Sequence, residues 1–214
     1  MTPRPWLLTL LLALPLRADG VEVALGVCVA PTGRGAGPGS FSDNTTALQV
    51  RLGWDQSPSQ VRMDQWQALA QGGSSHDLRY AMAGAGWQRS WWTKDHQLQG
   101  ALGADLRVEQ YQGHSSLASG PSALGSQRTW LVRPWLRAQA GFRGILFPFL
   151  SEPAGGLLAA LTQGGVYTHP FTRLEVAIPL WHQGGEGDAG LLRQMAPRWE
   201  ASVQLGMRFG RVRR

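Results

Sequence analysis

Cys28 is the only cysteine among the 214 residues. A lone thiol closes no internal disulfide and founds no cysteine-based metal cluster, so it reads as a small interior side chain. Lysine is equally scarce: Lys94 stands alone, and every other basic residue is an arginine. The formal charge is +6. Except for Arg211, Arg213 and Arg214, the arginines stand singly rather than in a run or patch. That spacing argues against a nucleic-acid site, and the C-terminal arginines read as a solvated end. Long apolar runs are also missing. The longest, Trp6 to Leu16, has 11 residues. As a helix it would rise about 16 Å, against a hydrocarbon layer of about 30 Å. Arg4 precedes this run, and Leu16-Arg17-Ala18 offers a small residue for cleavage, so residues 1–18 are expected to be a signal peptide. Its removal leaves 18 basic residues against 14 acidic, a formal charge of +4. With no other candidate helix, the chain could span a bilayer only as a closed barrel, because lipid satisfies no backbone hydrogen bonds.

What the sequence has in abundance is glycine (28 residues), tryptophan (10 residues) and alternation. Glycine lets strands curve and gives large side chains room on a crowded barrel wall, and tryptophan suits the membrane–water boundary. From Trp199 to Phe209 the apolar or small residues Trp199, Ala201, Val203, Leu205, Met207 and Phe209 alternate with Glu200, Ser202, Gln204, Gly206 and Arg208. Period two assigns the two sets to opposite faces of a strand. The pattern recurs in Val21–Val29, where valines and Leu25 oppose Glu22 and Cys28, and in Leu48–Asp55. It recurs again in Gln97–Glu109, in Trp130–Arg143 and in Phe171–Trp181. In Asp77–Gln88, Leu78, Tyr80 and Met82 form one set and Arg79 belongs to the other. Residues 60–70 fit either a bulged strand, the preferred reading, or a short helix.

Counting these segments gives an antiparallel transmembrane up-and-down β-barrel over residues 19–209, all-β, with ten strands and with eight as the alternative. Ten requires splitting Arg128–Leu150 in two and keeping Leu157–Thr168 as a strand. Short turns then fall near Pro58, Trp92 and Pro170 on the periplasmic side, and the long loops 31–44, 112–127 and 183–196 on the other. Trp54, Trp87, Trp91, Trp92, Phe171 and Phe209 would form one aromatic girdle. The eight-strand alternative makes 60–70 helical and Arg128–Phe142 a single strand.

The signal peptide, the alternation over residues 21–209 and the aromatic-ended last strand together resemble the small outer-membrane β-barrel proteins of Gram-negative bacteria. The resemblance implies a place in the outer membrane, contact with its lipid, and a final strand read at Phe209 by the barrel-assembly machinery. The family ends at that aromatic residue, whereas here a basic extension, residues 210–214, follows.

The opposite face then lines the lumen. It is expected to carry Glu22, Arg51, Arg79, Asp105, Arg107, Glu109, Arg133, Arg137, Arg173, Glu175, Arg198, Glu200 and Arg208, together with Asp55. Such charges must pair or stay wet. They form either a structural network or a narrow, water-filled pore that prefers anions. Leu102, Leu106, Val203 and Leu205 should point to lipid, and Arg107, Arg137 and Arg208 inward. His114 and Ser116 have the spacing of the His-x-Ser motif of outer-membrane lipid A deacylases, but no acid lies between Glu109 and Glu152, and the segment is Gly/Ser-rich. No cofactor signature, phosphate loop or metal-ligand spacing is present. The expected function is a non-enzymatic structural or surface-interaction barrel or narrow pore. A lipid-modifying hydrolase is the alternative from another class, and a soluble periplasmic barrel the third.

Overall fold

The computed structural model describes residues 20–33, 42–55, 62–75, 78–94, 97–113, 128–143, 166–181, 193 and 196–211. Eight strands account for nearly all of them: β1 (Gly20–Gly33), β2 (Ser42–Asp55), β3 (Arg62–Ser74), β4 (Leu78–Trp92), β5 (Leu98–Gly113), β6 (Arg128–Arg143), β7 (Val166–Pro179) and β8 (Glu200–Arg211). Each pairs antiparallel with the next, and β8 returns to β1, so the sheet closes in sequence order and leaves no edge. The register runs without interruption. Gly20 to Gly33 of β1 pair residue by residue with Asp55 back to Ser42 of β2.

The closed sheet therefore has eight strands rather than ten. Residues 128–143 form one strand because their alternation never breaks. Thr129, Leu131, Arg133, Trp135, Arg137 and Gln139 are all buried, and the residues between them lie towards the outside. A turn near Arg137 would have interrupted the pairing of Arg137 with Gly103 on one side and Ala177 on the other. Most of the proposed strand Leu157–Thr168 lies outside the described residues, and its last three residues belong to β7. Pro170 is not at a turn but inside β7, opposite Met207. The helical option for residues 60–70 also fails, since Thr46–Asp55 pair with Ser74–Gln65 as an ordinary ladder. Gly210 pairs with Gly20 and Tyr167, so the last strand runs beyond Phe209 to Arg211. Residues 1–19 and 212–214 lie outside the described residues.

The burial pattern is inverted relative to a water-soluble protein. Leu25, Leu48, Leu102, Leu106 and Leu174 are each more than half exposed on the outer wall. The interior holds arginine, glutamate, aspartate and glutamine. An eight-stranded barrel is just wide enough for side chains to fill its interior. Three tryptophans form a row on the outside near the terminal end of the barrel, where β1 begins and β8 ends: Trp54 is paired with Trp66, and Trp66 with Trp87. Trp66 joins the aromatic level that was expected there. Phe171 does not, because its side chain is fully buried in the lumen.

Glycine placement makes the crowded interior possible. A Cβ on Gly206 would sit 2.2 Å from Cζ of Phe171, and one on Gly86 would sit 2.4 Å from Oδ1 of Asp105. At both positions the missing side chain is the space its neighbour occupies.

Candidate functional site

Among the described residues most of the buried charged side chains converge in the lumen, and the register explains how. Inward positions of neighbouring strands stand opposite one another. Glu22 of β1 faces Arg208 of β8, and Arg107 of β5 faces Arg133 of β6. Long guanidinium stems then reach past their neighbours to carboxylates elsewhere on the wall.

At the terminal end, Arg208 donates to Asp55 at 2.7 Å, and Arg173 lies 2.7 Å from Glu22. The Arg173 guanidinium also stacks over the Phe171 ring, 4.4 Å from its centroid. In the middle, Arg51 donates to Glu175 at 2.5 Å and to the Gln67 side chain at 2.7 Å. Arg137 approaches Asp105 at 2.8 Å and donates to Gln67 and Gln88. Arg107 joins Asp105 at 3.3 Å to Glu200, which accepts from its other terminal nitrogen. Gln139 donates to Glu175.

Towards the opposite mouth the acceptor is Glu109. Arg133 donates to it at 2.6 Å, the Tyr111 hydroxyl at 2.6 Å and the Trp135 indole N–H at 2.6 Å. Arg107 and Arg133 lie over the Trp135 ring, at 4.3 and 4.9 Å from its centroid. Above this level the lumen turns apolar. Tyr80 and Tyr111 stack with centroids 5.6 Å apart. Cys28, Ala47, Leu69, Leu78, Met82, Leu131 and Ala196 complete the same buried cluster. Ala196 comes from the segment before β8, and Pro197 beside it accepts a 3.0 Å hydrogen bond from Arg133. That segment is therefore tied into the mouth.

Among the described residues the buried ionisable side chains, tyrosines and the thiol aside, are six arginines and six carboxylates, so the lumen carries no net formal charge. An excess of arginine, on which an anion-preferring pore would depend, is absent from this set. Taking such charges out of water is costly, and their mutual attraction repays that cost only where the geometry is good and the remaining polar atoms are satisfied.

Of the expected lumen residues, Glu22, Arg51, Asp105, Arg107, Glu109, Arg133, Arg137, Arg173, Glu175, Glu200 and Arg208 are buried inside. Arg79 and Arg198 are not: contrary to expectation, both are exposed. Arg79 is exposed because β4 turns its even positions inward, from Leu78, Tyr80 and Met82 through to Gln88 and Ser90. One unbroken strand cannot change parity, so three large apolar residues enter the lumen and Arg79 leaves it. Arg198 is exposed just before β8 begins. Trp135, Tyr111 and the glutamines Gln65, Gln67 and Gln88 are also buried in the lumen, beyond the residues expected there. Trp135 shares the parity of Arg133, Tyr111 that of Asp105 and Gln88 that of Ser90, whereas β3 has no inward charge to mark Gln65 and Gln67. His114, Ser116 and Glu152 lie outside the described residues. Among the described residues, no three His, Cys, Asp or Glu side chains converge on a metal position.

No protein-family model matches the chain, and no curated protein does. Solved structures similar to it include Neisserial surface protein A, at 10% identity over 89% of this chain and 96% of that one, with a TM-score of 0.46. The attachment invasion locus protein Ail of Yersinia pestis is 8% identical over 90% and 98%, with a TM-score of 0.41. The outer-membrane enzyme PagL is 12% identical over 88% and 97%, with a TM-score of 0.35.

Proposed function

We propose that this chain is a bacterial outer-membrane barrel that acts without catalysis, as a non-conducting scaffold holding its loops at the cell surface. The observation that carries the reading is the filled lumen. Arg51 of β2 is joined to Glu175 of β7, and Arg107 of β5 to Glu200 of β8, so charge-assisted bonds cross the interior instead of lining it. Ions would have to displace paired charges, and breaking such buried pairs is costly. The apolar cluster around Tyr80 and Tyr111 adds a second barrier at one mouth.

The outer wall supports the membrane part of the reading. Along β5, Leu98, Leu102, Leu106 and Val108 are exposed, with only Gly100 and Ala104 between them on that face. A water-soluble barrel would turn such a stripe inward. In this reading residues 1–18 direct export, Phe209 of the last strand is the element engaged by the assembly machinery, and the terminal end faces the periplasm.

Conductance tests the scaffold reading. The refolded protein in a planar bilayer should give no discrete current steps in molar salt. Arg51→Ala combined with Arg107→Ala, which removes both cross-lumen links, should produce steps or a leak. Reproducible unitary steps from the unaltered protein would replace the scaffold with a pore.

A further inference from the structure

Along β5 the outer wall is apolar over a defined height and then changes character. On β5 the apolar stripe runs from Leu98 to Val108, and the next two outward residues are Gln110 and Gln112. Ten steps of about 3.4 Å, tilted by about 40°, cover about 26 Å, the height of the apolar band on a barrel of this kind. Gln110 and Gln112 therefore stand at headgroup level, at the end of the barrel away from the chain termini.

Gln112 has an arginine on each side. It pairs with Arg79 of β4 and with Arg128 of β6, and both arginines are exposed on the outer wall. Two strand spacings separate them, about 9.6 Å. Directly below, Gln110 pairs with Trp130, an exposed tryptophan at the boundary of the band. Beside Arg79 the surface is concave. Ser74, Arg79, Gln110 and Gln112 help to line a cavity of about 390 Å³.

We infer that this concavity binds the phosphate-bearing headgroup of an outer-leaflet glycolipid. The argument rests on the transmembrane reading and extends it. At this height and facing outward, the cavity opens onto the layer where lipid headgroups lie. Guanidinium groups suit phosphate oxygens by charge and by their forked donors, and side-chain amides add uncharged donors. Trp130 and Val132 beneath offer an apolar surface for the acyl chains of the same molecule. At the opposite end of the wall the exposed Arg89 donates to Asp64, at 2.8 and 3.0 Å. That pair is a built-in control for a nonspecific effect of surface arginine.

Native mass spectrometry of the full-length protein from detergent micelles provides the test, with bisphosphorylated lipid A as the probe. Retention should fall about tenfold or more when the lipid A is dephosphorylated, a comparison that needs no variant, and similarly for Arg79→Gln combined with Arg128→Gln. Arg89→Gln should retain lipid A as the unaltered protein does. Millimolar inorganic phosphate should leave the bound lipid in place. The gel shift between heated and unheated samples reports folding and the membrane reading separately. Equal retention of phosphorylated and dephosphorylated lipid would overturn the inference, as would full retention by the folded double variant. Displacement by inorganic phosphate would make this a free-phosphate site and also overturn it.

Discussion

The ring of Phe171 occupies the place where Gly206 would carry a side chain. The two residues are register partners on β7 and β8, and Phe171 is buried to 1% exposure. On its other side the ring supports the Arg173 guanidinium, which reaches Glu22 of β1. One glycine therefore sets the position of a ring, and the ring sets the position of an ion pair.

Adding a methyl group at Gly206 should be costly. Besides the ring, a Cβ there meets the Val23 carbonyl oxygen at 2.7 Å, and backbone gives way less readily than a side chain. Gly206→Ala should destabilise the barrel by about 1–3 kcal/mol in urea-dependent unfolding from lipid vesicles. Phe171→Leu in the same chain should recover part of that loss. No recovery would mean that the carbonyl contact, and not the ring, limits the site.

Cutting one partner from the Arg51–Glu175 link should hurt more than cutting both. Arg51→Met leaves the Glu175 carboxylate buried with fewer partners, at a cost of about 3–5 kcal/mol. Arg51→Met with Glu175→Gln removes the uncompensated charge and should be closer to the unaltered protein. A double-mutant cycle from equilibrium unfolding measures the coupling. Additive losses would show that the two residues act independently.

The cost of an outward arginine should depend on depth. Leu102 lies midway along the β5 stripe, so Leu102→Arg should cost about 2–4 kcal/mol, whereas Gln110→Arg should cost about 0–1 kcal/mol. Folding titrations into phospholipid vesicles report both. Equal costs at the two positions would contradict the placement of the apolar band.

Phe209 pairs with Val21 and Thr168 near the terminal end of β8. If it is an assembly signal, Phe209→Ala should lower outer-membrane levels in cells several-fold yet leave refolding in detergent nearly unchanged. Cell fractionation and a refolding time course measure the two effects. Equal impairment in both would assign Phe209 a packing role instead.

The sequence by itself determined the kind of structure and most of its facing. Alternation is a local property of a strand, so Glu22, Asp105, Arg107 and Glu200 could be assigned to one face without knowing any partner. The same rule held for residues the reading placed elsewhere on chemical grounds. Phe171 shares the parity of Arg173 and Glu175, and Leu78 shares that of Gln88 and Ser90. An aromatic or apolar side chain suggested lipid, but a continuous strand kept its parity and carried each of them inside. Strand number was decided by the tertiary structure, because only closure of β8 on β1 shows how many strands the sheet holds. The pairing of the lumen charges was decided there as well. Arg51 and Glu175 are 124 residues apart in the chain and meet only because the closed barrel brings the walls of β2 and β7 within reach of two side chains.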